Sequence, residues 1–482
     1  MENNSALPGI DEIQEHMEIL FKDCPDIIRN NMYLKDNTKV YYAYVDGLVD
    51  TQIMYKNTFS RFSELTIDDL SNSSNPLFNS KKIYDMDSAA TKILEGNLVI
   101  FVNRLRYALY LPITKFFKRD IQEPEIEKNI KGAHDGFVES LSINTALLRE
   151  KIINSSLKFK TLNIGSVTHQ RVIIAYIDGI ANSDLLNTLY NKISSLDYDG
   201  FIGSCYIQQM ISVKYTYFPT IYPTERPDKA VAALMEGRFV VLVDGNPVAL
   251  IAPVNFFSFF QAPDDYNINW VLGSFTRLIR YLATALALML PPAYIALASF
   301  HYYMIPLPLL IPFAESRAKV PFPPIIEALI MEIVIDLIRE SSVRLPSYVG
   351  ITIGVSGGII LGQATVQAGI VSNIFLIVIG VTVLASYAIP SHDMILALRF
   401  TRIIFMILSG FLGIFGIVIC ASMLLAHFVT LESIGHPYLR PVTPFNARDL
   451  KDTLLRLPFN FLKRLPEDGN PLINIRGNNH GK

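Results

Sequence analysis

The sequence predicts a multidomain membrane protein, in which a duplicated α/β soluble N-terminal half is followed by an α-helical transmembrane domain. Three observations lead there. Charge is spread through residues 1–280 and then vanishes from three stretches, 281–314, 345–392 and 403–431. Those stretches can hold helices of about 20 apolar residues, the length that crosses a bilayer. Short apolar strings in the charged half recur in the same order. The averages over 482 residues, 50% hydrophobic and 18% charged, hide this split, and the net charge of -2 argues against a nucleic-acid partner.

Residues 1–29 form an N-terminal segment. MENNSALPGIDEIQEHMEIL has neither a basic n-region nor an apolar h-region. The first 280 residues are therefore expected to stay on the cytoplasmic side. Two α/β subdomains follow, 30–115 and 160–270. VYYAYVDGLVD (40–50) is echoed by VIIAYIDGIAN (172–182), LEGNLVIFV (94–102) by MEGRFVVLV (235–243), and YALYLP (107–112) by VALIAP (248–253). Each unit reads as a strand, a helical middle and a hairpin, with β-branched and aromatic residues in the strands. Asp244-Gly245 marks the second hairpin turn, because both residue types tolerate positive φ. The connector, 116–159, carries EPEIEKNIKGAHDGFVESLSINTALLREKI (123–152), which reads as largely helical.

No nucleotide or metalloprotease motif occurs, so no catalytic residue, cofactor or metal ligand is assigned. Cys24, Cys205 and Cys420 share no metal or redox spacing and read as plain buried thiols. Ser391-His392-Asp393 are consecutive and read as a polar turn at a membrane boundary. TERPD (224–228) and PDDY (263–266) are charged loops. They read either as solvated turns or as subunit or ligand contacts.

The transmembrane domain, 271–431, is expected to hold spans near 281–303, 347–366, 368–390 and 403–427. The tail, 432–482, carries Arg440, Arg448, Lys451, Arg456, Lys463 and Arg464 and is therefore expected in the cytoplasm. Ends on one side require an even number of crossings, here four. Within the second span, Gly350, Gly354, Gly358 and Gly362 recur every four residues, the spacing that lets helix backbones approach in lipid. At about 100° per residue, Thr352, Ser356, Gln363 and Gln367 fall on one stripe that includes Ile359. Such a stripe faces either another helix or water. In the second case these five residues line a pore, with Ile359 as a constriction that closes by dewetting.

Residues 323–343 read as an amphipathic helix that lies in the interface or re-enters from one side. Its charges, Glu332, Asp336, Arg339, Glu340 and Arg344, are spaced to neutralise one another along the helix.

Several strings together carry a resemblance: the connector sequence above, TERPD, EGRFVVLVDGNPVALIAP, FFQAPDDY, VPFPPIIEALIMEIVIDLIRESSVRLP and GGIILGQATVQAGIVS. Over roughly residues 90–465 the chain resembles the A subunits of GerA-type spore germinant receptors. Two departures stand out: Lys131-Gly132-Ala133, where the family more often has Arg-Gly-Pro, and Ser341-Ser342, where Ala-Gly is usual. The resemblance implies a subunit of a nutrient germinant receptor in the spore inner membrane, acting with a transporter-like B subunit and a lipoprotein C subunit. It also implies a homo-oligomer with a central, ligand-gated ion path, and no enzymatic activity. Nutrient recognition would fall mainly to the B subunit, so no nutrient-binding residue is assigned. A secondary-transporter subunit and a membrane-anchored scaffold are the competing readings. Transporter folds tend to repeat in the membrane half, whereas the repeat here lies in the soluble half.

Overall fold

The architecture is that of a computed structural model, which describes residues 7–62, 64–72, 80–115, 127, 131–344, 358, 360, 362–447, 449–462, 464–473 and 475. Alternating β-branched and aromatic residues build the first sheet from β1 (Ile27–Tyr33), β2 (Lys39–Val45), β3 (Lys81–Ile83), β4 (Leu98–Val102) and β5 (Ala108–Leu111), in the order β1-β2-β4-β5-β3. Because side chains alternate across a strand, β2 feeds two cores. Tyr41, Ala43 and Val45 pack against Ile13 and Met17 of α1 (Ile10–Leu20) and Ile93 of α2 (Met86–Leu94). Val40, Tyr42 and Tyr44 pack against Met54, Phe62 and Leu70. Asp85 starts α2 by accepting the Ser88 N–H at 3.0 Å, a stabilising N-cap.

After α3 (Leu141–Lys151), the second sheet repeats this order. It comprises β6 (Leu157–Ile164), β7 (Gln170–Ile177), β8 (Tyr222–Thr224), β9 (Phe239–Val243) and β10 (Ala249–Ala252), arranged β6-β7-β9-β10-β8. The echoed strings fall on the same strands of both sheets. Their glycines also agree: Gly47 and Gly179 have φ of +82° and +80°, and Gly96 and Gly237 have +82° and +81°. Positive φ explains why glycine stands at these turns. All strand pairs are antiparallel, so each unit is an α+β layer, not a parallel α/β sheet. One face of the second sheet is covered by Leu186 and Leu189 of α4 (Ser183–Ser194) and by Ile207 and Ile211 of α5 (Ser204–Ile211). The other face packs on α3 and on α6 (Pro227–Met235).

The two sheets are joined by a buried ion pair. Arg149 of α3 donates to both carboxylate oxygens of Asp26 at 2.9 and 3.1 Å and to the Asn154 carbonyl at 3.0 Å. Of the connector, only α3 is helical among the described residues. Cys24 and Cys420 are buried, but Cys205 is exposed, which corrects the expectation of three buried thiols.

The helical half begins earlier than composition suggests. Its helices are α7 (Trp270–Ser299), α8 (Leu307–Ala318), α9 (Pro324–Arg344), α10 (Asn373–Tyr387), α11 (His392–Leu412) and α12 (Ile414–Thr430). Of these, α7 and α11 are long and apolar enough to cross a membrane. The single span expected at 403–427 is instead two helices, broken at Gly413, whose φ of +61° ends α11. Ser391 caps the start of α11 by accepting the Met394 N–H at 3.4 Å. Phe256 and Phe428, with ring centroids 5.0 Å apart, carry the second sheet's core into this half.

Candidate functional site

Two prolines in α7 create the centre of the site. Pro291 has no N–H, so the carbonyl four residues earlier, that of Ala287, loses its helical donor. An unsatisfied buried carbonyl costs about 1–3 kcal/mol. Arg402 of α11 supplies the missing donor, with Nη1 at 3.0 Å from the Ala287 oxygen. Its other Nη pairs with Glu332 of α9. Arg402 is 2% exposed and Glu332 3%. One guanidinium thus ties three helices, a task suited to its fixed fork of donors. One turn away Arg399 pairs with Asp336, so α9 and α11 run antiparallel.

Nearer the start of α9, Glu327 is fully buried. It accepts from Arg317 of α8 at 2.9 Å and from the Ser372 N–H at 2.6 Å. The Tyr294 hydroxyl lies 2.9 Å from Ser372 Oγ. At the opposite end of the bundle, Asp265 receives both Arg280 Nη atoms at 2.7 Å and Arg277 Nε at 3.3 Å. Arg277 also reaches Asp452 of the tail at 3.3 Å. These three tiers of ion pairs run along the helices, and each joins segments distant in sequence. Buried charge at helix contacts of this kind is expensive and marks functional positions in membrane proteins.

Two acids of the charged helix pair across to a neighbouring helix and not along α9 itself. Glu332 and Asp336 reach cations of α11, while Ile333 and Leu337 face outward at 61% and 64% exposure. The expected Asp336–Arg339 pairing gives way to Asp336–Arg399, and Arg339 lies over the Tyr387 ring at 5.2 Å. Glu340 is exposed, and the Arg344 side chain lies outside the described residues. Arg399, Arg402, Glu327 and Arg317 were not singled out by sequence. The signal for Arg399 and Arg402 is that they are the two cations in the short segment 393–402 between two charge-free stretches.

The stripe is only partly visible. Thr352, Ser356, Ile359, Gly350 and Gly354 lie outside the described residues. Gln363 and Gln367 are exposed. Gly362 faces Leu376, with 3.7 Å from a Cβ position to Cδ1, and Gly358 has no atom of the described residues within 4 Å. Among the described residues, neither glycine meets the backbone of another element.

The two charged loops are not solvated turns. Arg226 is buried and donates to Asp228 at 2.6 and 3.0 Å, to the Glu127 carbonyl at 3.1 Å and to the Ala133 carbonyl at 3.0 Å. Burial pushes the Glu127 carboxyl up, but the Lys229 ammonium and the Thr224 and Tyr222 hydroxyls outweigh it and leave it lowered. Burial lowers Lys229, partly offset by Glu127 at 3.3 Å. Asp265 of the other loop is fully buried. Among the described residues no cluster of His, Cys, Asp and Glu is arranged to hold a metal ion.

Comparison with known proteins agrees with the string-by-string resemblance. The sequence model of the family described as Bacillus/Clostridium GerA spore germination protein matches residues 15–468. Spore germination protein B1 of Bacillus subtilis (strain 168) is 37% identical over 446 residues, covering 91% of this chain and 92% of its own. Spore germination protein GerQA of Bacillus cereus is 35% identical over 462 residues, covering 95% and 92%. An uncharacterized membrane protein of Bacillus subtilis (strain 168), YfkQ, is 34% identical over 466 residues, covering 95% and 91%. Among solved structures, the N-terminal domain of the A subunit of the Bacillus megaterium spore germinant receptor GerK3 aligns with 53% of this chain and 99% of its own, at 23% identity and a TM-score of 0.40. With the family matched across residues 15–468 and relatives alike over nearly their whole length, the chain belongs to the GerA spore germination protein family.

Proposed function

We propose that this chain is the A-type subunit of a nutrient germinant receptor of the spore inner membrane. In this reading its helical half forms a ligand-gated ion path in a homo-oligomer, and a transporter-like B subunit and a lipoprotein C subunit complete the receptor. The observation that carries the reading is the family match over residues 15–468. Relatives of similar length carry germination in their names. The soluble half, in this reading, is an internal duplication, supported by the shared strand order and the matching glycines.

The helix directions support a membrane domain with both ends in the cytoplasm. α7 leaves the soluble half, where Arg280 holds Asp265, and α12 returns to it, where His427 meets Thr216 at 3.0 Å. Buried Glu327 and Glu332 with outward Ile333 and Leu337 suit a helix in lipid better than one in water. This favours α9 as a crossing element over an interfacial one. The stripe of Thr352, Ser356, Ile359, Gln363 and Gln367 remains the pore-lining candidate. The glycine face is the candidate contact with a neighbouring copy. The antiparallel ion pairs of α9 and α11 would hold the shut state, because sliding one helix past the other breaks both pairs together.

Spores that lack this chain, in a strain with its other receptors intact, test the function. They should fail to release ions and germinate in response to one class of nutrient and respond normally to the others. A normal response to every nutrient that the parent strain senses overturns the reading.

A further inference from the structure

A cavity of about 300 Å³ lies where the second sheet, the segment leading into α7 and the tail converge. That volume is at the lower end of the roughly 300–1,000 Å³ of small-molecule pockets, so it suits a small ligand. Its walls come from three parts of the chain: α6 and β10, the Gln261–Asn267 segment, and Asp452 with Leu462 of the tail.

The polar wall carries both signs of charge, and each has a partner in place. Lys229 lies 3.6 Å over the Tyr222 ring and 3.3 Å from Glu127. Arg238 reaches Ser258 Oγ at 3.1 Å and Glu236 at 3.3 Å. Asp228 is paired with Arg226 at 2.6 Å, and Asp452 with Arg277 at 3.3 Å. Because these ions are already balanced in pairs, a ligand of net charge would bring an unbalanced charge into a partly desolvated site, which is costly. A net-neutral ligand with one cationic and one anionic end matches both signs at once. The apolar wall of Ala233, Ile251, Val254 and Leu462 leaves room for a short apolar side chain.

We propose that this cavity binds a small zwitterion of amino-acid size, its carboxylate toward Lys229 and Arg238 and its ammonium toward Asp452 and Glu236. Occupancy would join the second sheet to the start of α7 and to the tail, the two segments that Arg277 already links. The inference stands apart from the ion-path reading, since binding is measured without ion flux.

The test uses the full chain in lipid nanodiscs, with L-alanine, L-valine and L-leucine as probes. For each probe, its amide lacks the anionic end and its des-amino acid lacks the cationic end. Thermal unfolding reports binding, because a ligand of the folded state raises the melting temperature, and equilibrium dialysis measures affinity. At least one probe should bind, and its two analogues should not. Lys229→Met should weaken binding at least about tenfold, the loss expected of a charged hydrogen bond. Ala232→Leu, at an exposed position on the cavity rim, should block binding without disturbing the core. No binding of any probe at about 10 mM, ten times a weak millimolar dissociation constant, overturns the proposal. So does binding that survives Ala232→Leu, or equal binding of the amide or des-amino analogue.

Discussion

Arg402 answers to two partners at once, which makes its removal separable into parts. Arg402→Met leaves Glu332 buried without a cation and Ala287 without a donor. Breaking a buried pair by removing one member costs about 3–5 kcal/mol. The orphaned carbonyl adds about 1–3 kcal/mol. Adding Glu332→Gln removes the stranded carboxylate, so the double variant should regain most of the first part and keep the second. Adding Pro291→Ala then restores an N–H four residues after Ala287, and the triple variant should approach the wild type. Equilibrium unfolding of the full chain in detergent, followed by helical circular dichroism, measures each step. The reasoning is refuted if the Arg402 and Glu332 changes add to within about 0.5 kcal/mol, the behaviour of sites that do not interact. It is equally refuted if Pro291→Ala restores nothing.

Two further outcomes follow from single residues. Gly413→Ala should destabilise the α11–α12 hairpin by about 1–3 kcal/mol, because φ is +61° and the new Cβ would lie 2.7 Å from His301 Cε1; stability equal to wild type in the same unfolding assay counts against that turn. Glu127 has a folded-state pKa below its usual 4.5, with burial overcome by Lys229, Thr224 and Tyr222. Its stabilisation is therefore fully present above pH 4.5 and lost as pH falls through the lowered folded value. The stability gap between wild type and Glu127→Gln should be flat at neutral pH and close in acid, and a gap that widens in acid contradicts the pairing.

How much of this was legible in the sequence depends on the range of the interaction. The strands could be read because VYYAYV and VIIAYI are short β-branched and aromatic runs that end at Asp-Gly turns, which are local facts. β1 escaped because IIRNNMY has polar residues at its centre and pairs along one edge only. The break at Gly413 escaped because FLGIFG lies in an unbroken apolar run, where hydropathy is blind to φ. The charged helix was found, but its partners were misread. Spacing proposes neighbours three and four residues away, whereas the actual partners of Asp336 and Glu332 are 63 and 70 residues distant. Likewise the cavity draws on residues from Tyr222 to Leu462, and no local pattern gathers them.

The central claim is that the helical half conducts ions and that Ile359 holds the path shut. Single-channel recording of the purified full chain in planar bilayers tests it most directly, with Ile359→Ser against Ile360→Ser. Ile360 is exposed and, at about 100° per residue, falls off the stripe expected from the sequence, which makes it the control. The account predicts discrete conductance from the wild type, a raised open probability in Ile359→Ser, as expected when a dewetted constriction takes up water, and little change in Ile360→Ser. Silence from all three proteins, solute flux without conductance, or a larger effect at Ile360 would contradict it.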